Sequence, residues 1–364
     1  MVAAMAALAH AQTSGATGDG AQPPASPPFT QDSTVFAPDG TAYIQRIVPI
    51  PPTVSAEARA FLMEDAAPAG PPQPPLTLAE RRERAERRVR RDGNVALVKY
   101  PAIVSSATIA GVHVTRVTPL PSAGPSRPLV LINVHGGGYK VDCCSLVESV
   151  PLANLMRAEV ISVAYRLAPE HPFPAGVDDV IAVYQAVLKT HPASAVAIYG
   201  TSSGAVITGE VAVALKRRGL PEPGALGIFS GFGDFSSETD SKAFFSLDGL
   251  DGVTAPTGKI MGNQRDYVGA TPLTDPMLSP MKGDLSGLPP TLFLTSTRDA
   301  FLSGASLFER AMLRAGDDAE LVVFEALPHA FWTIPILPES DEADHLMARF
   351  FDRHLHADEA PAQP

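Results

Sequence analysis

Short apolar runs, each bounded by glycine, proline or polar clusters, recur through the body of the chain and alternate with stretches of helical period. Residues 129–134 (Leu-Val-Leu-Ile-Asn-Val), 195–199, 290–297 and 320–324 are such runs. Short runs without strict polar alternation predict strands covered on both faces, the habit of a parallel sheet. Residues 177–188 and 205–216 carry helical periodicity between them, and 342–355 is a terminal helix-like stretch. Strand–helix alternation predicts the α/β class. Residues 107–115 read as a two-stranded entry into the sheet around a turn at Gly111. Further upstream, residues 55–63 suggest a short capped helix, and the proline cluster from Pro68 to Pro75 separates it from a second one. Thr77-Leu78-Ala79-Glu80 fits a capping box that opens this second helix. Its arginines, over residues 81–91, are interleaved with glutamates at helical spacings and read as a solvated face. Residues 231–283, rich in Gly, Asp and aromatic side chains, interrupt the alternation.

Candidate chemistry sits where these runs end. Gly200-Thr201-Ser202-Ser203-Gly204 joins a strand to a helix, and G-x-S-x-G at that junction is a nucleophile elbow. The glycines make room for a tight turn that thrusts Ser202 outward. The strand at 129–134 runs into His135-Gly136-Gly137-Gly138-Tyr139. Successive glycines leave backbone N–H groups unshielded, which suits an oxyanion hole, where losing one donor costs roughly 10²–10³ in turnover. Asp299 closes the strand at 290–297, and His329 lies in the loop after 320–324. In a parallel sheet these loops open on one edge, so both can converge on Ser202. His329 would then act as base and acid, with Asp299 fixing its tautomer. Asp234, Asp266 and Asp275 are rivals for the acid, each without a strand directly before it. His345, His354 and His356 read as solvated residues of the terminal helix, His135 as a structural residue of its glycine loop, and His171 and His191 as loop or surface residues. An i, i+2 pair such as His354 and His356 points to different sides of a helix, and no metal is expected.

Charge and length narrow the reading further. The 364 residues suit one large domain with a cap. A net charge of −11 argues against nucleic acid, whose phosphates need a basic face. No apolar stretch of about 18 residues follows the leader, so no integral membrane span is expected. Cys143 and Cys144 are neighbours, and adjacent cysteines are expected to remain unpaired because the ring between them is strained. Residues 1–11 are rich in alanine and end Ala9-His10-Ala11, like a signal cleavage site without its basic start. A signal remnant implies a periplasmic or secreted protein, and its absence a cytoplasmic one. Residues 12–40 extend this start as a disordered leader.

Taken in order, His135-Gly136-Gly137-Gly138, the stretch Tyr165-Arg166-Leu167-Ala168-Pro169-Glu170-His171-Pro172-Phe173-Pro174-Ala175, the serine elbow, Asp275-Pro276 with Ser279-Pro280, and finally Asp299 and His329 resemble the bacterial hormone-sensitive-lipase-like esterases. The match runs from about residue 100 to 355. It implies an eight-stranded, mostly parallel α/β-hydrolase core under a helical cap. The implied activity is hydrolysis of short- to medium-chain acyl esters without a cofactor. The resemblance makes Ser202 the nucleophile, Asp299 the acid and His329 the base, with the N–H groups of Gly137, Gly138 and Ser203 as oxyanion donors and Gly136 adjacent. The commonest elbow of that family has Asp before the serine and Ala after it. Thr201 and Ser203 instead resemble its G-T-S-x-G branch, in which some members use Glu as the acid; here the slot holds Asp299. By the same analogy residues 41–100 supply the first part of the cap, 101–358 the catalytic domain, and 231–283 a second cap segment. Tyr139, Phe244, Phe245, Met261, Tyr267 and Trp332 are candidates for the substrate pocket, and the expected partners are a small-molecule ester and a second copy of the chain in a homodimer. Amidases, deacetylases and lactonases use the same triad. A non-catalytic ligand receptor on this scaffold is the alternative from another class, though such receptors typically lose the histidine.

Overall fold

The computed structural model describes residues 30–65, 74–250 and 262–357, so the signal-like start lies outside the described residues. Two compact units divide between Gln73 and Pro74. In the first, β1 (Ser33–Phe36) pairs antiparallel with β2 (Ala42–Gln45), and α1 (Ala56–Asp65) follows. β1 falls within the stretch expected as a leader: Thr34, Val35 and Phe36 favour strand, and a turn through Gly40 at φ 87° returns them onto β2. Ser55 Oγ accepts the N–H of Ala58 at 2.9 Å, which opens α1 as expected.

The second unit opens with α2 (Leu78–Lys99). Thr77 Oγ1 accepts the N–H of Glu80 at 3.3 Å and Glu80 returns the bond to the Thr77 N–H at 2.8 Å, completing the capping box. Most of its arginines are exposed, while Asp92, Gly93 and Ala96 are buried. There follow β3 (Ala102–Ile109), β4 (Val112–Pro119), β5 (Val130–Val134), α3 (Ser145–Met156), β6 (Glu159–Val163), α4 (Ala175–Val187), β7 (Val196–Thr201), α5 (Ser203–Arg218) and β8 (Ala225–Phe229). The irregular segment carries α6 (Asp240–Phe244) and α7 (Gly262–Val268), and the chain closes with β9 (Thr291–Ser296), α8 (Leu302–Ala315), β10 (Ala319–Phe324) and α9 (Pro338–His354).

These strands form one eight-stranded sheet in the order β10-β9-β8-β7-β5-β6-β4-β3. β4 runs antiparallel to β3 and β6, and every other pairing is parallel. Every residue of β5, β7, β8 and β9 is buried, which explains their mostly apolar runs without polar alternation, whereas the edge strand β10 leaves Val323 exposed. Phe293 of β9 and Phe308 of α8 meet edge to face with centroids 5.4 Å apart, both fully buried. Burial of each contributes roughly 1.5–3 kcal/mol. The topology also places the site. β5 lies between β6 and β7, so the chain turns one way after β5 and crosses back after β6. The carboxyl ends of β5 and β7 therefore flank the point where strand order reverses, the crevice that open α/β sheets use for ligands.

Candidate active site

Ser202 occupies the turn between β7 and α5 at φ 58° and ψ −119°, a conformation that costs a non-glycine residue on the order of 1–3 kcal/mol. Its N–H donates to Phe229 O at 2.9 Å, which ties the turn to β8. Gly204 is fixed by contact rather than by its dihedrals. A Cβ there would overlap the carbonyl oxygen of Val134 and lie 2.6 Å from the carbonyl carbon, so only glycine lets α5 start against β5.

Two loops from the same sheet edge reach this serine. His329 Nε2 lies 2.8 Å from Ser202 Oγ, and His329 Nδ1 lies 2.8 Å from Asp299 Oδ1. An ionised carboxylate only accepts hydrogen bonds, so Nδ1 carries the proton and Nε2 is free to accept from the serine hydroxyl. The N–H of Phe301 donates to Asp299 Oδ1 at 2.9 Å, and the hydroxyls of Thr295 (2.7 Å) and Ser230 donate to Oδ2. Burial pushes the Asp299 carboxyl up, but the charge and hydrogen bond of His329, with those of Ser230 and Phe301, outweigh it and hold the group below the ordinary carboxylate range. The ring of Phe301 meets His329 edge to face, centroids 5.0 Å apart, and shields the pair from water.

The glycine loop after β5 packs against the residue preceding Ser202: a Cβ on Gly136 would lie 2.9 Å from Thr201 O. Gly137, Gly138 and Tyr139 take φ values of 126°, 62° and 66° in succession. A Cβ on Gly137 would overlap the carbonyl oxygen of Val141, whose N–H, like that of Lys140, donates back to Gly137 O at 3.3 Å. Among the described residues the N–H groups of Gly137 and Gly138 donate to nothing. Ser203, first residue of α5, has no intrahelical acceptor for its own N–H. Three amides thus remain for an incoming oxygen. His135 is buried, stacks on Tyr165 at 4.4 Å and sits with Nδ1 2.9 Å from Gly136 O, which fits a role inside the loop.

Comparison with known proteins gives this arrangement its relatives. A family model described as the alpha/beta hydrolase fold matches residues 131–333. The chain belongs to the α/β-hydrolase family. Within that family it is 31% identical over 227 residues to an acetyl-hydrolase of Streptomyces hygroscopicus, covering 60% of this chain and 74% of the relative. A carboxylesterase of Mycobacterium tuberculosis, NlhH, is 28% identical over 63% of this chain and 74% of its own. Among solved structures, esterase E25 superposes with a TM-score of 0.71 at 28% identity, over 86% of this chain and 98% of its own. An esterase of the bacterial hormone-sensitive lipase family gives 0.69 at 26%, over 82% and 97%. The resemblance carried by the motifs is therefore shared by sequence relatives and by solved folds.

The other residues singled out in this α/β-hydrolase scatter. Asp234 pairs with Lys282 (2.9 Å), Asp266 with Lys140, and Asp275 Oδ1 accepts the N–H of Met277 (2.8 Å), so none of the three bonds His329. Tyr139 is buried against Tyr267. Phe244 is exposed and meets Phe245 with ring centroids 6.2 Å apart, while Phe245 packs on the core. Met261 lies outside the described residues. Trp332 is buried and donates its Nε1–H to Thr201 Oγ1 at 3.1 Å, so it reaches the serine only through its neighbour. Cys143 and Cys144, expected unpaired, form a disulfide. The reason is local: Asp142 Oδ1 accepts the N–H groups of Cys144 and Ser145, both at 3.0 Å, and the turn so made sets both sulfurs against Gly136.

Among the buried acids that escaped sequence reasoning, two lie on helices that flank the site. Glu148 of α3 accepts from Asn133 Nδ2 at 2.9 Å, and burial pushes its carboxyl up to about 8 against the opposing bonds of Asn133 and Thr201. Glu210 of α5 accepts the Tyr267 hydroxyl, and burial raises it well above the usual range. The signal was a lone acid inside an apolar helix, as in Val206-Ile207-Thr208-Gly209-Glu210-Val211-Ala212. Among the described residues no group of three or more His, Cys, Asp or Glu could hold a metal ion, and no helix is long and apolar enough to cross a membrane.

Proposed function

We propose that this α/β-hydrolase is a serine carboxylesterase of short- to medium-chain acyl esters, working through Ser202, His329 and Asp299. One observation supports the roles above all others: the continuous path from Ser202 Oγ through His329 to a buried carboxylate, with 2.8 Å at each step. His329 Nε2 takes the hydroxyl proton as Ser202 Oγ bonds to the ester carbonyl carbon, and the carbonyl oxygen becomes an alkoxide. The amides of Gly137, Gly138 and Ser203 receive that alkoxide. Its collapse expels the alcohol, which leaves with the proton from His329, and an acyl-enzyme remains. Water then attacks the acyl carbon, giving a proton to His329; Ser202 departs and recovers that proton. Asp299 balances the imidazolium in both halves. In this reading α2 and the described residues of the 231–283 segment belong to the cap over the crevice. The relatives' names support this reading, carboxylesterase the ester hydrolysis and acetyl-hydrolase a short acyl group. Initial rates with p-nitrophenyl acetate and butyrate test the proposal. The native chain turns both over and Ser202→Ala loses at least about 10³-fold, within the range expected for a triad member; full retention in that variant ends the proposal.

A further inference from the structure

The glycine loop's own bonds hold its carbonyls, Gly137 O accepting the N–H groups of Lys140 and Val141, but leave the Gly137 and Gly138 amides, both at positive φ, without a partner among the described residues. Something at its exit must hold them. Tyr139 and Lys140, the next two residues, are held from several sides, although the buried Tyr139 hydroxyl itself has no hydrogen-bond partner among the described residues. The Tyr139 ring lies on Tyr267, centroids 3.9 Å and planes 11° apart. Lys140 Nζ pairs with Asp266. The Tyr139 carbonyl accepts the N–H of Ala168 at 2.9 Å, and the Lys140 carbonyl accepts Arg82 Nε at 3.0 Å. Tyr139 is itself held at φ 66°, a conformation a tyrosine adopts only when its surroundings impose it. The two side-chain grips come from adjacent residues of α7. Tyr267 in turn donates its hydroxyl to Glu210, whose other oxygen is buried without a partner, so this bond is the one donor that carboxyl receives among the described residues. Glu210 belongs to α5, the helix whose first residue supplies the third amide. The Tyr139–Tyr267–Glu210 chain therefore links both halves of the oxyanion site through α7.

We infer that α7 positions the oxyanion loop, Tyr267 by stacking on Tyr139 while anchored to Glu210, and Asp266 by its ion pair with Lys140. Neither residue touches substrate; both act on the direction of the Gly137 and Gly138 amides. The assignment rests on the esterase reading and deepens it. Its signature is a loss confined to the tetrahedral stage, since a misaimed amide weakens the bond to the alkoxide and leaves ground-state binding alone.

The experiment compares native chain, Tyr267→Leu, Tyr267→Phe and Asp266→Asn for kcat and KM on p-nitrophenyl butyrate. It adds the inhibition constant of a trifluoromethyl ketone, which forms a hemiketal alkoxide on the serine. Tyr267→Leu is expected to lose about 10–100-fold in kcat, less than the roughly 10²–10³ of a donor removed outright because the amides are misaimed rather than absent, with KM within about threefold and a matching loss of ketone affinity. Tyr267→Phe keeps the stack but loses the Glu210 anchor, and is expected to fall between Tyr267→Leu and the native chain in both kcat and ketone affinity. Asp266→Asn, which removes a partly exposed charge and leaves the core intact, is expected to lose about three- to tenfold in kcat and as much in ketone affinity. It carries the test if Tyr267→Leu does not fold. Either variant at native kcat, or slowed with native ketone affinity, overturns the assignment alone. A native chain inert towards the ester brings down the esterase reading and this assignment with it.

Discussion

Replacing Asp299 by Asn separates the charge of the carboxylate from its hydrogen bonds. Oδ1 faces two donors, His329 Nδ1 and the Phe301 N–H, the latter fixed by the backbone. Oδ2 faces the hydroxyls of Ser230 and Thr295, which can rotate to accept. An asparagine therefore keeps its oxygen towards His329 and its NH2 towards the hydroxyls, and the histidine tautomer survives. What disappears is the negative charge 2.8 Å from the imidazolium that forms during reaction. At an effective dielectric of about 20, that contact amounts to roughly 6 kcal/mol. The amide oxygen retains part of it, so a loss of about 3–5 kcal/mol in the barrier follows, or roughly 10²–10⁴ in kcat at 1.36 kcal/mol per decade. Initial rates on p-nitrophenyl butyrate at neutral pH, beside a thermal melt to verify folding, measure it. A folded Asp299→Asn within tenfold of the native kcat would refute the reasoning. So would a comparable loss in Asp234→Asn or Asp275→Asn.

Two further outcomes follow from packing and burial. For Glu148, burial raises the carboxyl from 4.5 to about 8, so between these values the folded chain holds a proton that the unfolded chain has lost. Stability then falls as pH rises through that window and levels off above it. Glu148→Gln removes the fall, and its advantage over the native chain in thermal or urea melts should grow by on the order of 2–5 kcal/mol from pH 4.5 to pH 8.5; a constant difference contradicts this. Gly204→Ala sets a methyl into the Val134 carbonyl. It should cost more than about 4 kcal/mol, lowering Tm by roughly 8–16 °C or preventing folding, and a Tm within about 3 °C of native would show that β5 and α5 can part.

Much of this was readable because it is encoded locally. The strands β5, β7, β8 and β9 are buried end to end, and three of them announced themselves as short, mostly apolar runs without polar alternation. The α2 capping box is four consecutive residues whose bonds close on themselves. Ser202, Asp299 and His329 could be picked because a parallel sheet sends all its carboxyl-end loops to one edge. What stayed hidden depends on neighbours distant in sequence. Trp332 looked like a pocket residue, yet its indole N–H is used by Thr201, 131 positions away. The grip of Tyr267 on Tyr139 links segments that no local pattern relates. α3 was not foreseen, since Pro151 interrupts its pattern and Glu148 breaks its apolar face. The cysteine pairing follows from a turn set by Asp142, which residue spacing alone does not reveal.

The claim that the polarised hydroxyl of Ser202 is the attacking group is tested most directly by covalent capture. The intact chain is treated with a fluorophosphonate, digested and read by mass spectrometry. The account predicts a single phosphonyl adduct on the peptide containing Ser202, absent in Ser202→Ala and strongly slowed in His329→Ala. An adduct on another residue, or labelling that persists in Ser202→Ala, would contradict it.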